Sequence, residues 1–211
     1  MSATVQALPT ILDGKALVTS VGIVGLLLIV FAETGLLLGF FLPGDSLLFA
    51  AGYAASGGIK DLHPNLAVVM LGVTVAAIAG GQAGYLIGWK AGPALFSRED
   101  SRLFKRKYVT RAEEVVEHYG VAKALLIARF VPIVRTFINP LVGAGRLPLR
   151  TFTLWNAVGG VLWGCGVTLL GYYLGQVSWI GKNLEVFAVL VVIISFLPIA
   201  AEIVKQRRQT P

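Results

Sequence analysis

Histidine, cysteine and charge are all scarce in this chain. The two histidines, His63 and His118, fall in expected loops without clustered partners, which excludes a histidine metal site and a Cys–His catalytic pair. The one cysteine, Cys165, sits within an apolar stretch, so neither a disulfide framework nor a thiolate metal site is expected. Charged residues make up 14% of 211 and hydrophobic residues 56%, against roughly 25% charged in soluble domains. Such a chain belongs in lipid. With no intramembrane nucleophile or base of the usual types, an enzyme is the weakest function class, and no cofactor is expected.

Four apolar stretches carry this reading: Ala16 to Leu42, Asn65 to Trp89, Thr151 to Leu174 and Leu184 to Val204. Each is about as long as the ~20 residues a helix needs to cross a bilayer. The first has no basic segment before it and no small-residue cleavage pattern after it, which argues against a cleaved signal peptide. The net charge of +7 is not a nucleic-acid footprint, because the basic residues gather beside the apolar stretches: Arg98 to Arg111, Arg146 with Arg150, and Lys205 with Arg207 and Arg208. The positive-inside rule puts all three groups in the cytoplasm. The expected location is the inner (cytoplasmic) membrane, with several passes and a cytoplasmic C-terminus. Trp89, Trp155 and Trp179 lie near span ends, as interfacial anchors do, although packing alone accounts for them equally well.

This orientation makes residues 151–174 run outward and 65–89 and 184–204 inward. The segment 120–146 must then begin and end inside. It is apolar but interrupted by Pro132, Pro140, Gly143 and Gly145, so a re-entrant hairpin is expected there, with its non-helical backbone sheltered by protein or a water-filled cavity. Residues 16–57, broken at Leu42-Pro43-Gly44-Asp45, read as an N-terminal helix and an outward-opening hairpin; whether 16–30 form a separate span stays open. Residues 97–119 read as a cytoplasmic amphipathic segment, with Thr110-Arg-Ala-Glu113 as a capping box. Gly84-Tyr-Leu-Ile-Gly88 and Gly171-Tyr-Tyr-Leu-Gly175 each end a span that follows a broken segment. The expected fold is therefore an all-α membrane domain over 1–211, an inverted repeat of two opposed re-entrant helical hairpins, each followed by a transmembrane helix, plus flanking helices. Gly80, Gly84 and Gly88 leave one helix face bare for close packing.

Four charges lie at membrane depth: Glu33, Asp45, Arg129 and Arg135. Insertion scales charge ~2.5–3.5 kcal/mol for a mid-helix Asp, Lys or Arg, so such residues need partners, water or a ligand. Asp45 follows Pro43-Gly44 where a half-helix starts, and Asn139-Pro140 reads as an N-cap with an N1 proline. Helix N-termini expose N–H groups that favour an anion. Arg129 and Arg135, with Asn139 and Ser46, are the candidate phosphate-binding residues, since a guanidinium grips phosphate oxygens in pairs and stays charged when buried. Glu33 and Asp45 have the wrong sign for phosphate and are assigned to proton coupling. Alternatively the four charges neutralise one another in a fixed network, and Asp45 is simply an N-cap. Arg129 and Arg135 are six apart, which separates them on an unbroken helix; Pro132 allows them to converge.

The motifs Phe31-Ala-Glu-Thr-Gly35, Phe41-Leu-Pro-Gly-Asp-Ser-Leu-Leu-Phe-Ala-Ala-Gly52, Ala128-Arg-Phe-Val-Pro-Ile-Val-Arg135, Ala144-Gly145 and Trp155-Asn-Ala-Val-Gly159 together resemble the DedA family (SNARE-associated, or VTT-domain) of membrane proteins, over roughly residues 31–175. The resemblance implies two opposed re-entrant hairpins, dependence on the proton-motive force, and flipping of polyprenyl phosphates such as undecaprenyl phosphate back across the membrane. It also implies functional roles for Glu33, Asp45, Arg129 and Arg135. Gly39-Phe40 departs from the family, many members of which carry a proline before the Leu-Pro-Gly turn.

The leading reading is thus a proton-coupled transporter of a polyprenyl phosphate or other anionic lipid, working in the bilayer, with a homo-oligomer left open. A non-selective scramblase, a proton-coupled ion or drug antiporter, and a membrane scaffold or biogenesis factor are the competing readings.

Overall fold

The computed structural model describes residues 14–36, 44–60, 62–95, 120–130 and 132–177. The segments 97–119 and 184–204, Pro43 and Trp179 lie outside them. The regular elements among the described residues are all helices, with no strand among them.

Prolines, glycines and caps set the boundaries. Helix α1 (Gly14–Gly35) bends at Gly22, where φ 65° and ψ −170° suit only glycine. Beyond the bend, Gly22–Gly35 is a short apolar helix. Helix α2 (Gly44–Ala55) starts directly after Pro43, with Asp45 in its first turn. Asn65 caps α3 (Leu66–Leu95): its Oδ1 accepts the N–H groups of Ala67 at 2.9 Å and Val68 at 3.3 Å. Helix α4 (Val121–Arg129) ends just before α5 (Pro132–Ala144), which opens on a proline whose missing N–H costs nothing at that position. Arg146 takes the left-handed conformation, φ 59°, that closes α5, with Leu147 N–H bonded to the Val142 carbonyl at 3.1 Å and Arg146 N–H to that of Gly143 at 3.1 Å. Helix α6 (Leu149–Leu174) follows Pro148.

Pro140 corrects the sequence expectation. It lies inside α5, and the helix continues through it to Ala144. Asn139-Pro140 is therefore not a cap and a new start, and the break in this half of the chain falls between Arg129 and Pro132 alone. Pro140 brings no N–H to the Thr136 carbonyl four residues earlier, so the helix forgoes that bond.

Helix lengths divide into two classes. At 1.5 Å per residue, α2 with 12 residues, α4 with 9 and α5 with 13 fall well short of the ~30 Å hydrocarbon layer. Leu66–Gly92 of α3, with 27 residues, and α6, with 26, exceed it, and both are apolar enough to cross. Only a third of the most apolar window of each is buried, so neither is the core helix of a soluble protein. Val68, Leu71 and Val75 on α3 and Leu154, Val161, Leu162 and Leu170 on α6 face outward, an apolar exterior that suits lipid.

Helix α3 packs on α1, α5 and α6, and α6 on α2, α3 and α4. Each long helix thus receives the short helix of the other half. Glycine makes both crossings possible: a Cβ on Gly88 would overlap the backbone of Pro140, and one on Gly171 the backbone of Phe49. These two glycines come from the two Gly-Tyr-x-x-Gly segments. The apolar core has two parts, one around Leu26, Val30, Leu48, Val69 and Trp163, the other around Tyr85, Leu125, Ile138 and Phe152.

Candidate functional site

The breaks before α2 and α5 bring the first turns of two short helices together. Asp45 is the second residue of α2 and Arg135 the fourth of α5, and they form a two-pronged ion pair: Nη1 donates to Oδ1 at 2.8 Å and Nη2 to Oδ2 at 2.9 Å. Glu33, near the end of α1, accepts from Arg135 Nη2 through Oε1. Its other oxygen, Oε2, is buried, has no side-chain donor among the described residues and lies against the backbone of Gly44. A Cβ on Gly44 would collide with that carboxylate. The start of α2 is therefore occupied by the chain's own acids rather than open to a phosphate.

Trp163 of α6 completes this group. Its indole N–H donates to Asp45 Oδ1 at 2.8 Å, and the Arg135 guanidinium lies 4.6 Å from its ring centre. Trp163 and Arg135 are almost fully buried.

Arg129, the last residue of α4, sits apart from the acids. Nη1 donates to Asn156 Oδ1 at 2.6 Å and to the Asn156 carbonyl at 3.2 Å, and Nη2 donates to the Ala77 carbonyl at 3.1 Å. Asn156 Nδ2 in turn donates to the Ile78 carbonyl at 2.9 Å. No carboxylate of the described residues is within ion-pair distance of Arg129, although the side chain is only 6% exposed. A buried cation held by dipoles alone is poorly compensated.

Both arginines line one cavity, with Thr34, Asn139, Asn156, Leu125, Ile138, Phe152 and Trp155. The Nε–H groups of Arg129 and Arg135 are buried and have no acceptor among the described residues. The convergence that Pro132 allows is thus realised. Asn139 reaches the cavity by a different route from the one expected: its Nδ2 donates at 2.9 Å to the carbonyl of Thr34, one of the acceptors left open at the end of α1. Ser46 is partly buried in the first turn of α2 but is not part of the lining. Measured to the centres of water-sized spheres the cavity is about 10 Å³, room for about one water. Anything larger enters only when the helices part.

Trp155 lines the cavity and so is more than an interfacial anchor. Trp89 is 41% exposed and lies 4.7 Å from the guanidinium of Arg146. Among the described residues no cluster of metal-ligating side chains occurs.

Sequence reasoning missed Asn156 and Trp163 as site residues. Each carried a signal: an amide in the middle of an apolar stretch needs a partner, and a tryptophan well inside a span is away from the interface it usually prefers.

The VTT domain matches residues 42–173 of the chain. An uncharacterized membrane protein of Mycobacterium tuberculosis is 40% identical over 220 residues, covering 100% of this chain and 95% of the relative. Protein DedA of Escherichia coli is 40% identical over 183 residues, 87% of this chain and 82% of its own. A Mycobacterium leprae membrane protein is 39% identical over 204 residues, 94% and 89% respectively. No solved structure matches. With a domain match across most of its length and full-length relatives on either side of it, the chain belongs to the VTT-domain, or DedA, family of membrane proteins.

Proposed function

We propose that the chain is a lipid transporter driven by the proton-motive force, which returns undecaprenyl phosphate or a similar polyprenyl phosphate across the cytoplasmic membrane for reuse. The observation that supports this reading is a cavity lined by two buried arginines, each with an Nε–H that has no acceptor among the described residues, one of them with no carboxylate partner there either. Such donors favour an oxyanion, and a guanidinium suits phosphate.

Charge arithmetic links the anion to a proton. Glu33, Asp45, Arg129 and Arg135, all ionised, sum to zero. A phosphate monoanion entering alone leaves a net negative charge in a low-dielectric site, and a proton entering alone leaves a net positive one; entering together they leave none. Because uncompensated charge at this depth costs several kcal/mol, the two cross together, and an inward proton gradient drives the lipid inward. No covalent step is required.

The mutual exchange of short helices between halves supports the finer architecture: two opposed re-entrant hairpins, α1–α2 and α4–α5, each followed by a crossing helix, α3 or α6, in inverted repeat. The exposed Arg146 and Arg150 between α5 and α6 favour a cytoplasmic side there, and with it a cytoplasmic C-terminus. Parting the halves on one side at a time opens the occluded cavity to one leaflet or the other.

The test is reconstitution. Vesicles holding the protein and a polyprenyl phosphate, given an inward proton gradient, should move the lipid, and Arg129→Gln should abolish movement in folded protein. A scramblase moves neutral lipid equally well and ignores the gradient. An ion or drug antiporter dissipates the gradient without moving lipid, and a scaffold does neither.

A further inference from the structure

The two acids are not equivalent. Both of Asp45's oxygens are engaged, accepting hydrogen bonds from Arg135 Nη1 at 2.8 Å, Arg135 Nη2 at 2.9 Å and Trp163 Nε1 at 2.8 Å. Glu33 accepts one side-chain hydrogen bond, from Arg135 Nη2, and its Oε2, which lies against the backbone of Gly44, has no side-chain donor among the described residues. A carboxylate offers about four lone-pair sites, and guanidinium and indole N–H groups are donors that never accept. Three side-chain donors are therefore fixed on Asp45, against one on Glu33. Every donor bonded to an ionised carboxylate favours that form.

We propose that Trp163 is a positioning residue that holds Asp45 as a constant ionised partner of Arg135, so that Glu33 is the acid that takes up the transported proton. The word transported rests on the reading above; the division of labour rests on the hydrogen bonds alone. The proton comes from the aqueous phase and goes onto Glu33 Oε2, converting a carboxylate into a carboxylic acid. The Glu33–Arg135–Asp45 group passes from a net charge of minus one to zero. Nothing else charged reaches these acids among the described residues. Asp45 and Glu33 face each other across Arg135, and α4 brings Arg129 as the next cation. From α3 the charged residue is Lys90, which is exposed, and from α6 it is Arg150, also exposed. The other polar contact from α6 is Trp163 itself, whose ring is packed in the core with Val69 and Val73. Trp163→Phe keeps most of that packing and removes only the N–H.

Infrared difference spectra of the full chain in vesicles containing a polyprenyl phosphate, recorded between about pH 6 and 9 where exposed acids are already ionised, read the titrating carboxyl directly. Heavy-carbon labelling of glutamate should shift the carbonyl band that appears on acidification, and labelling of aspartate should leave it in place. Glu33→Gln should remove the band. Trp163→Phe should add an aspartate-sensitive band and move the half-point of proton uptake by at least about one pH unit. A band that follows aspartate labelling overturns the proposal, as does a Trp163→Phe spectrum identical to the parent's. Labelling needs no substitution, so the assignment stands or falls even if a variant fails to fold. A glutamate band in a protein that moves no polyprenyl phosphate would overturn the transport reading and leave the division between the two acids intact.

Discussion

Arg129 and Arg135 are both buried cations, but their surroundings differ in kind, and substitution separates them. Arg135 neutralises two acids. Replacing it by methionine strands both carboxylates and should cost ~3–5 kcal/mol of stability, as for other broken buried pairs. Arg129 is held by an amide and backbone carbonyls, so Arg129→Met removes a poorly compensated charge. The melting temperature of that variant in detergent should be equal to or above the parent's, while transport disappears. A large loss of stability in Arg129→Met would mark it as structural. Gly44→Ala probes the same site from the other side: its Cβ meets the end of the Glu33 side chain, which must swing away. Proton-linked transport should fall at least about tenfold, a change of ~1.4 kcal/mol, with the helices intact by circular dichroism.

Elements are held together where backbones touch, and this makes the glycines unequal. A leucine at Gly88 or Gly171 would drive into backbone of α5 or α2, which yields far less readily than a side chain. Both variants should lose stability by more than the ~1–3 kcal/mol typical of overpacking. Gly166, in α6, has nothing within 4 Å of the position its Cβ would take. Gly166→Ala should stabilise the protein by up to ~1 kcal/mol through helix propensity. Thermal melts of the three variants check the contrast. The same elements show how far local sequence reaches. The start of α2 and the break before α5 were legible because Pro43-Gly44 and Pro132 act on their immediate neighbours, and α3 was legible as the apolar stretch from Asn65. Pro140 misled, because an X-Pro pair inside a helix looks the same in sequence as one that begins a helix, and only the packing of Gly88 against it distinguishes the two. The four intramembrane charges were legible as a group because their cost is local. Their pairing was not: Arg135 meets residues 90 and 102 positions away, and nothing short-range indicated that it would take both acids and leave Arg129 with none among the described residues. Trp163 and Asn156 were hidden for the same reason, each meeting its partner only after α6 packs on the other half.

At the scale of the whole molecule, the described helices pack so that each long helix receives the short helix of the other half, around a cavity with room for about one water. On the proposed function such a protein binds by opening, and its affinity should depend on the protonation of Glu33 as well as on the arginines, because the charges inside must balance before the halves close. The most direct measurement is binding of a short-chain polyprenyl monophosphate to the solubilised protein at graded pH, by calorimetry in buffers of different ionisation heat, which counts protons taken up per anion bound. The account predicts about one proton per monoanion, with both binding and uptake lost in Arg129→Gln. Binding with no proton uptake, or with affinity unchanged in Arg129→Gln, would contradict it.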